Sequence, residues 1–214
     1  MRRRAVPTPF GAAVVIDVAT GELPEALAAL PASERAICAQ RTAHRQREYI
    51  AGRTALHLLV GADTEIGASD RGAPSAAGWS CSIAHKQDRG DDALLFAAAL
   101  AAPAPSGDAH VGIDLELAGP PRVDIAAKIL TPRELAARPD GAGITRVFAI
   151  KEAIYKAIDP LVRRYVRFDE VEVDAEHGGV TVVDPAQLPV AIEIWSTQIA
   201  RHWIACARAR RTRS

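Results

Sequence analysis

The sequence has little that would tie it to an oxidising compartment, a membrane or a nucleic acid. It holds three cysteines, Cys38, Cys81 and Cys206, an odd number with no C-x-x-C pair. Neither a disulfide framework nor a zinc site is expected from that usage, and reduced thiols are. No apolar run approaches the ~18 residues needed to span a bilayer. Met1-Arg2-Arg3-Arg4 has the charge of a signal-peptide start, but Pro7, Pro9 and Gly11 break the stretch after it, and Asp17 interrupts the next apolar run. A cytoplasmic protein is the expectation. An excess of either charge is missing too: 26 Lys and Arg balance 26 Asp and Glu, for a formal net charge of +0. No nucleic-acid or membrane partner is expected, and any anion binding must rest on local basic clusters.

What remains is a globular composition, with 49% hydrophobic and 24% charged residues in a chain of 214. That suffices for one large domain or two small ones. Gly11 to Val18 reads as a strand, and Pro24 opens a short helix through Leu30. Ser33 is expected to cap a long helical pattern, with Glu34 in its first turn. The pattern runs, with room for a break, to about Val60, where Gly61 ends it. Its second half is dense in cations: Arg41, Arg45, Arg47 and Arg53. Residues 67–78 read as a loop rich in Gly, Pro, Ser and Ala. Trp79 to Ile83 reads as a strand ending at Ala84-His85, Lys86 to Asp92 as a polar turn, and 93–100 as a further strand. Pro103 to Asp108 is the best linker in the chain. It divides the sequence into halves, 1–105 and 106–214, read as two α+β halves that share an interface.

The second half repeats the coarse order of the first. A strand from His110 to Leu117 precedes helices, and strands follow near 171–173, 180–183, 191–195 and 203–207. Thr131, Pro132 and Glu134 have the spacing of a capping box. The main helix is expected over about Ile144 to Ile158, stopped by Asp159-Pro160. The basic tail from Arg208 to Ser214 is expected to fray.

The chemistry concentrates between Val111 and Lys156. Gly112-Ile113-Asp114-Leu115-Glu116 alternates apolar and acidic residues, so Asp114 and Glu116 share one strand face while Ile113 and Leu115 point the other way, into a core. Further on, Val147, Ile150, Ile154 and Ile158 form an apolar helical stripe, and Glu152 and Lys156 share another face. Two carboxylates on one face repel unless a positive charge lies between them. A hard divalent cation with oxygen ligands is the usual remedy, and Glu152 is available as a third ligand. The plainer alternative is a solvated edge strand followed by an amphipathic helix with an ordinary Glu–Lys pair.

These residues resemble a known family. Gly112-Ile113-Asp114-Leu115-Glu116, followed 35 residues later by Lys151-Glu152-Ala153-x-x-Lys156, is similar to the paired signature of the 4′-phosphopantetheinyl transferases. Four further segments resemble the siderophore-synthetase-activating subgroup: Glu48-Tyr49-Ile50-Ala51-Gly52-Arg53, Asp70-Arg71-Gly72-Ala73-Pro74, Ser82-Ile83-Ala84-His85, and Pro160-Leu161 through Arg164-Tyr165 and Phe168. The resemblance implies an α+β fold of two pseudo-symmetric halves, each a small sheet on a long helix, with coenzyme A in the cleft between them. It implies Mg²⁺-dependent transfer of the phosphopantetheine arm of coenzyme A to a serine of an apo acyl or peptidyl carrier protein, with release of 3′,5′-ADP. By the same resemblance Asp114, Glu116 and Glu152 hold Mg²⁺ (or Mn²⁺) on the pyrophosphate. Glu152 also serves or orients the base, and Lys156 neutralises the pyrophosphate. Arg45, Arg53 and Arg71 receive nucleotide phosphates, and His85 donates to a phosphate. His44, His57, His110, His177 and His202 show no ligand spacing and read as structural or surface groups.

The sequence departs from the family pattern in places. Ala84 stands where a Ser or Thr precedes the histidine, residues 86–92 are more charged than usual, and Tyr165 replaces a common Trp. Two other readings therefore stand beside transfer: a diverged coenzyme A-binding or regulatory homologue, and an enzyme using the same cleft for another acyl or phosphate substrate. A monomer is expected, since each half can cover the other's interface.

Overall fold

The computed structural model describes residues 1–87, 94–104, 108–119, 125–137 and 140–212. The chain forms two compact units, Met1–Ser106 and Gly107–Ser214. Both mix strands and helices, as the sequence led one to expect of an α+β chain. The centre of the expected linker, 105–107, and most of the expected polar turn, 88–92, lie outside the described residues.

In the first unit, β1 (Arg2–Thr8), β2 (Gly11–Ala19), β3 (Ile66–Ala68), β4 (Pro74–Ala76), β5 (Trp79–Gln87) and β6 (Leu94–Pro103) form one antiparallel sheet in the order β1-β2-β6-β5-β4-β3. Helices α1 (Leu23–Ala28), α2 (Ala32–Ala39) and α3 (Ala43–Val60) complete the unit. One core joins Ile50, Ala51, Ala55 and Leu56 of α3 to Val14, Ile16, Val18, Leu95, Ala97, Ala99 and Ala101 of the sheet. Gly52 sets how close α3 can come: a Cβ there would meet Ile83 Cγ2 at 2.7 Å.

Several boundaries differ from the sequence-based expectation, each for a physical reason. β1 was not anticipated, because its Arg2, Arg3 and Arg4 look like a solvated run. It is an edge strand, paired in register with Asp17, Ile16 and Val15 of β2, and an edge tolerates charge and Pro7. The expected helix from Ser33 divides into α2 and α3, and Ser33 lies inside α2. Pro31 holds the N-cap position instead, with its fixed φ of −53° leading into the helix. Residues 67–78 contain β3 and β4 rather than loop alone, too short to show a period.

The second unit holds α4 (Ala126–Ile129), α5 (Pro132–Ala136), α6 (Gly141–Val162), β7 (Ala109–Leu117), β8 (Val171–Asp174), β9 (Gly179–Val182), β10 (Val190–Ile199) and β11 (His202–Arg211). β10-β11-β7 is a three-stranded antiparallel sheet and β8-β9 a separate pair. The capping box at Thr131 forms as its spacing implies: Glu134 N donates to Thr131 Oγ1 at 3.2 Å, and Thr131 N to Glu134 Oε2 at 2.7 Å. Helix α6 starts earlier than its apolar stripe, because Asp140 Oδ1 accepts from Gly143 N at 2.7 Å. It also runs through Pro160 to a left-handed cap at Arg163, φ 52°. Pro160 removes only the bond to the Lys156 carbonyl, in the last turn, where Arg163 N to Asp159 O at 2.9 Å closes the helix. Ile150, Ile154 and Ile158 are buried in its core, each worth about 1.5–3 kcal/mol against exposure. The tail does not fray from Arg208: β11 continues to Arg211, and Arg208 pairs with Glu193 at 2.7 Å.

Candidate active site

Asp114 and Glu116 share one strand face and Ile113 and Leu115 are buried on the other, as the alternation implies, but the acidic face is covered as well. A Cβ on Gly112 would run into the carbonyl oxygen of Ala153 and stand 2.8 Å from Ala157 N. The face carrying Gly112, Asp114 and Glu116 is therefore the face α6 covers. The register agrees, since Asp114 opposes Ala205 and Gly112 opposes Ala207, and both alanines belong to the core of α6. Ile113 and Leu115, at 0% and 1% exposure, are buried on the other face and are not in that core. Small residues at 112, 153, 157, 205 and 207 let backbone approach backbone, which leaves the two carboxylates at the border of a packed helix rather than in open solvent.

Lys156 is the link between strand and helix. Its Nζ donates to Asp114 Oδ1 at 2.8 Å and to the Ile113 carbonyl at 2.9 Å. The plainer alternative paired it with Glu152 within the helix; the side chain reaches β7. Asp114 is only 7% exposed, and its Oδ2 is buried with no hydrogen-bond partner. A carboxylate oxygen in that state is costly unless a cation or donor meets it. Glu116 is 8% exposed and opposite Trp203. Glu152 is half-buried. Its charge, after the larger effect of burial, pushes the Tyr155 hydroxyl up from the ordinary range. Among the described residues, no group of three or more His, Cys, Asp and Glu stands close enough to hold a metal ion. The hard oxygen donors and the orphaned Oδ2 nevertheless have the chemistry a small divalent cation requires.

Lys151 is a functional-motif residue to which sequence reasoning assigned no role. It is completely buried. Its Nζ reaches Glu134 Oε2 at 2.7 Å, the Phe168 carbonyl at 2.8 Å and the Ile129 carbonyl at 2.9 Å. Glu134 Oε1 in turn accepts from Val173 N at 2.7 Å. Burial pulls the Lys151 ammonium pKa down, against the Glu134 carboxylate that raises it. This ion pair ties α5, α6 and β8 together and fixes the helix that bears Glu152 and Lys156. The signal was present: position 151 continues the apolar stripe from Val147 to Ile154 and Ile158.

In the first unit, His85 and Arg45 meet on Glu48, a residue to which the sequence assigned no role. Arg45 Nη1 lies 2.7 Å from Glu48 Oε2, and His85 Nδ1 3.3 Å from Glu48 Oε1. His44 Nε2 is 3.1 Å from the same Oε1. Arg53 differs from its expected role at nucleotide phosphates. It is 6% exposed, its Nη1 donates to the Ile66 carbonyl at 2.7 Å and its Nη2 to the Gly67 carbonyl at 2.8 Å. Its guanidinium also lies 5.0 Å from the centre of the Tyr49 ring. That geometry fastens β3 to α3. Arg71 is exposed in the turn before β4, where its backbone N bonds Ser69 Oγ at 3.3 Å. Ala84 is 3% exposed and alternates with His85, so the two point to opposite faces of β5.

Residues 110–207, from β7 into β11, match the family model of the 4′-phosphopantetheinyl transferase superfamily. No curated protein matches the chain. Among solved structures, the crystal structure of a holo-ACP-synthase from Plasmodium yoelii is similar at 18% identity, over 49% of this chain and 98% of that one, with a TM-score of 0.40.

Proposed function

We infer that this chain, whose residues 110–207 match the family model of the 4′-phosphopantetheinyl transferase superfamily, moves the phosphopantetheine arm of coenzyme A to a serine of an apo acyl or peptidyl carrier protein. The observation that carries the reading is the Lys156–Asp114 contact at 2.8 Å beside the orphaned Asp114 Oδ2. It puts a cation, and a carboxylate with one oxygen still unmatched, on the one strand face where the motif requires charge control.

Asp114, Glu116 and Glu152, not gathered into a three-ligand group as they stand, would have to close on Mg²⁺ or Mn²⁺, which would supply positive charge to a pyrophosphate. The chain's own residues do the rest. Lys156 places its ammonium against the pyrophosphate oxygens. Glu152 takes the proton of the carrier serine as the serine oxygen bonds to the phosphorus of the phosphopantetheine phosphate. The pyrophosphate P–O bond breaks, and 3′,5′-ADP leaves with the bond's electron pair. Positioning and charge account for most of such a transfer. Arg45, Arg71 and His85 are assigned to the nucleotide phosphates, with Arg53 as support for β3. Cytoplasmic secondary metabolism and action as a monomer belong to the same reading.

No helix among the described residues is long and apolar enough to cross a membrane. The test is intact-mass spectrometry of an apo carrier protein after incubation with coenzyme A, Mg²⁺ and this protein. A phosphopantetheine mass gain is expected. Coenzyme A binding without any mass gain, over a panel of carriers, would favour a binding or regulatory homologue. Buried Ala84, in place of a hydroxyl residue, is the feature that keeps that second reading in view.

A further inference from the structure

Glu48 gathers donors from two elements. His44 and Arg45 come from the first turn of α3 and His85 from β5, so local chain geometry alone does not assemble them. They meet on one carboxylate, at 3.1, 2.7 and 3.3 Å. Exposure is graded across the cluster: the Glu48 side chain is 13% exposed, against 61% for His44, 63% for Arg45 and 35% for His85. The acid lies at the base and the donors reach outward from it.

A single guanidinium already neutralises a carboxylate. Adding two imidazoles leaves an excess of donors, and Glu48 engages only Nη1 of Arg45, whose guanidinium carries five N–H groups. Such an excess suits an anion of higher charge than a carboxylate.

We propose that Glu48 is a positioning residue: its carboxylate draws Arg45, His44 and His85 to one point, so that together they receive a phosphate monoester. Resting on the reading above, that group is the 3′-phosphate of coenzyme A, since the pyrophosphate is a diester. The proposal adds His44 to the phosphate donors and gives Glu48 a role through its neighbours rather than through the ligand. Repulsion between Glu48 and the incoming phosphate opposes binding. With the carboxylate turned into the base and three donors outside it, orientation outweighs that repulsion.

The test measures calorimetric affinity for coenzyme A and for 3′-dephospho-coenzyme A, in the wild-type chain and in Glu48→Gln, which keeps the side-chain shape. The wild type is expected to prefer coenzyme A, and Glu48→Gln to lower that preference about tenfold. In a chain carrying His85→Asn, adding Glu48→Gln should lower the preference at least threefold less than it does in the wild type. A wild type with no preference overturns the proposal. So does a Glu48→Gln chain with equal or greater preference, or full additivity with His85→Asn. A thermal melt of each variant separates these results from unfolding; if Glu48→Gln does not fold, His44→Gln is measured in its place and must lower the preference about threefold. Carrier loading is scored separately: its failure sinks the transfer reading and leaves the phosphate preference as the measure of Glu48.

Discussion

Gly112 and Ala153 are in backbone contact: a methyl group on the glycine would overlap the alanine's carbonyl oxygen. The strand that carries Asp114 and the helix that carries Glu152 can approach this closely only because residue 112 has no side chain. Gly112→Ala should therefore destabilise the protein by about 1–3 kcal/mol or more, since a backbone oxygen cannot rotate away. A denaturant midpoint equal to that of the wild type would mean that helix and strand stand further apart.

Lys151→Met should cost about 3–5 kcal/mol, because it leaves the Glu134 carboxylate buried beside α6 without its cation. Glu134→Gln with Lys151→Met should recover part of that loss. The two variants are compared by denaturant melts; equal midpoints would show that the ion pair contributes little.

Asp114→Asn keeps the shape of the side chain and removes the charge. Carrier loading should fall by about 10²-fold or more with the fold intact, as read by loading rate and circular dichroism. A fully active variant would remove Asp114 from the metal ligands.

His57 links α3 to α2, with Nε2 2.9 Å from Glu34 Oε1 and Nδ1 3.1 Å from the Gly61 carbonyl. The Glu34 hydrogen bond raises the His57 pKa above its ordinary 6.5, against burial. A raised folded-state pKa stabilises fully below the unfolded pKa, and the contribution is lost as pH rises through the folded one. Stability should decline from about pH 6.5 upward and flatten in that window in His57→Gln. An unchanged slope in the variant would assign the pH dependence elsewhere.

Arg53→Ala should weaken coenzyme A and 3′-dephospho-coenzyme A alike and lower the melting temperature, because its guanidinium holds the Ile66 and Gly67 carbonyls. A loss confined to coenzyme A would put Arg53 at the 3′-phosphate.

The helices and the interior strands were legible because their periods are long or strict: Val147, Ile150, Ile154 and Ile158 marked the buried side of α6, and Thr131 with Glu134 marked the start of α5. β1 was hidden because an edge strand needs no apolar face, and Pro160 misled because a proline ends a helix only when turns remain to be broken. Alternation placed Asp114 and Glu116 on one face and Ile113 and Leu115 on the other, without saying that α6 packs on the acidic side. Period 2 carries no direction, and only Gly112, read as a point of close approach, supplies one. The Glu48 cluster was invisible because α3 and β5 meet only in three dimensions.

The Arg-rich edge strand has a consequence for synthesis. β1 and β2 are adjacent in sequence and can pair as soon as they emerge, which covers one edge of Val14 and Ile16 with a charged strand. The other edge of β2 belongs to β6, which begins roughly 75 residues later. At ribosomal speeds that is a wait of about 4–15 s, during which an apolar strand stands half-clothed. The nascent hairpin thus offers neighbouring chains a repelling side and an inviting one. Crowding on polysomes, where such half-paired hairpins stand close together, favours their misassembly.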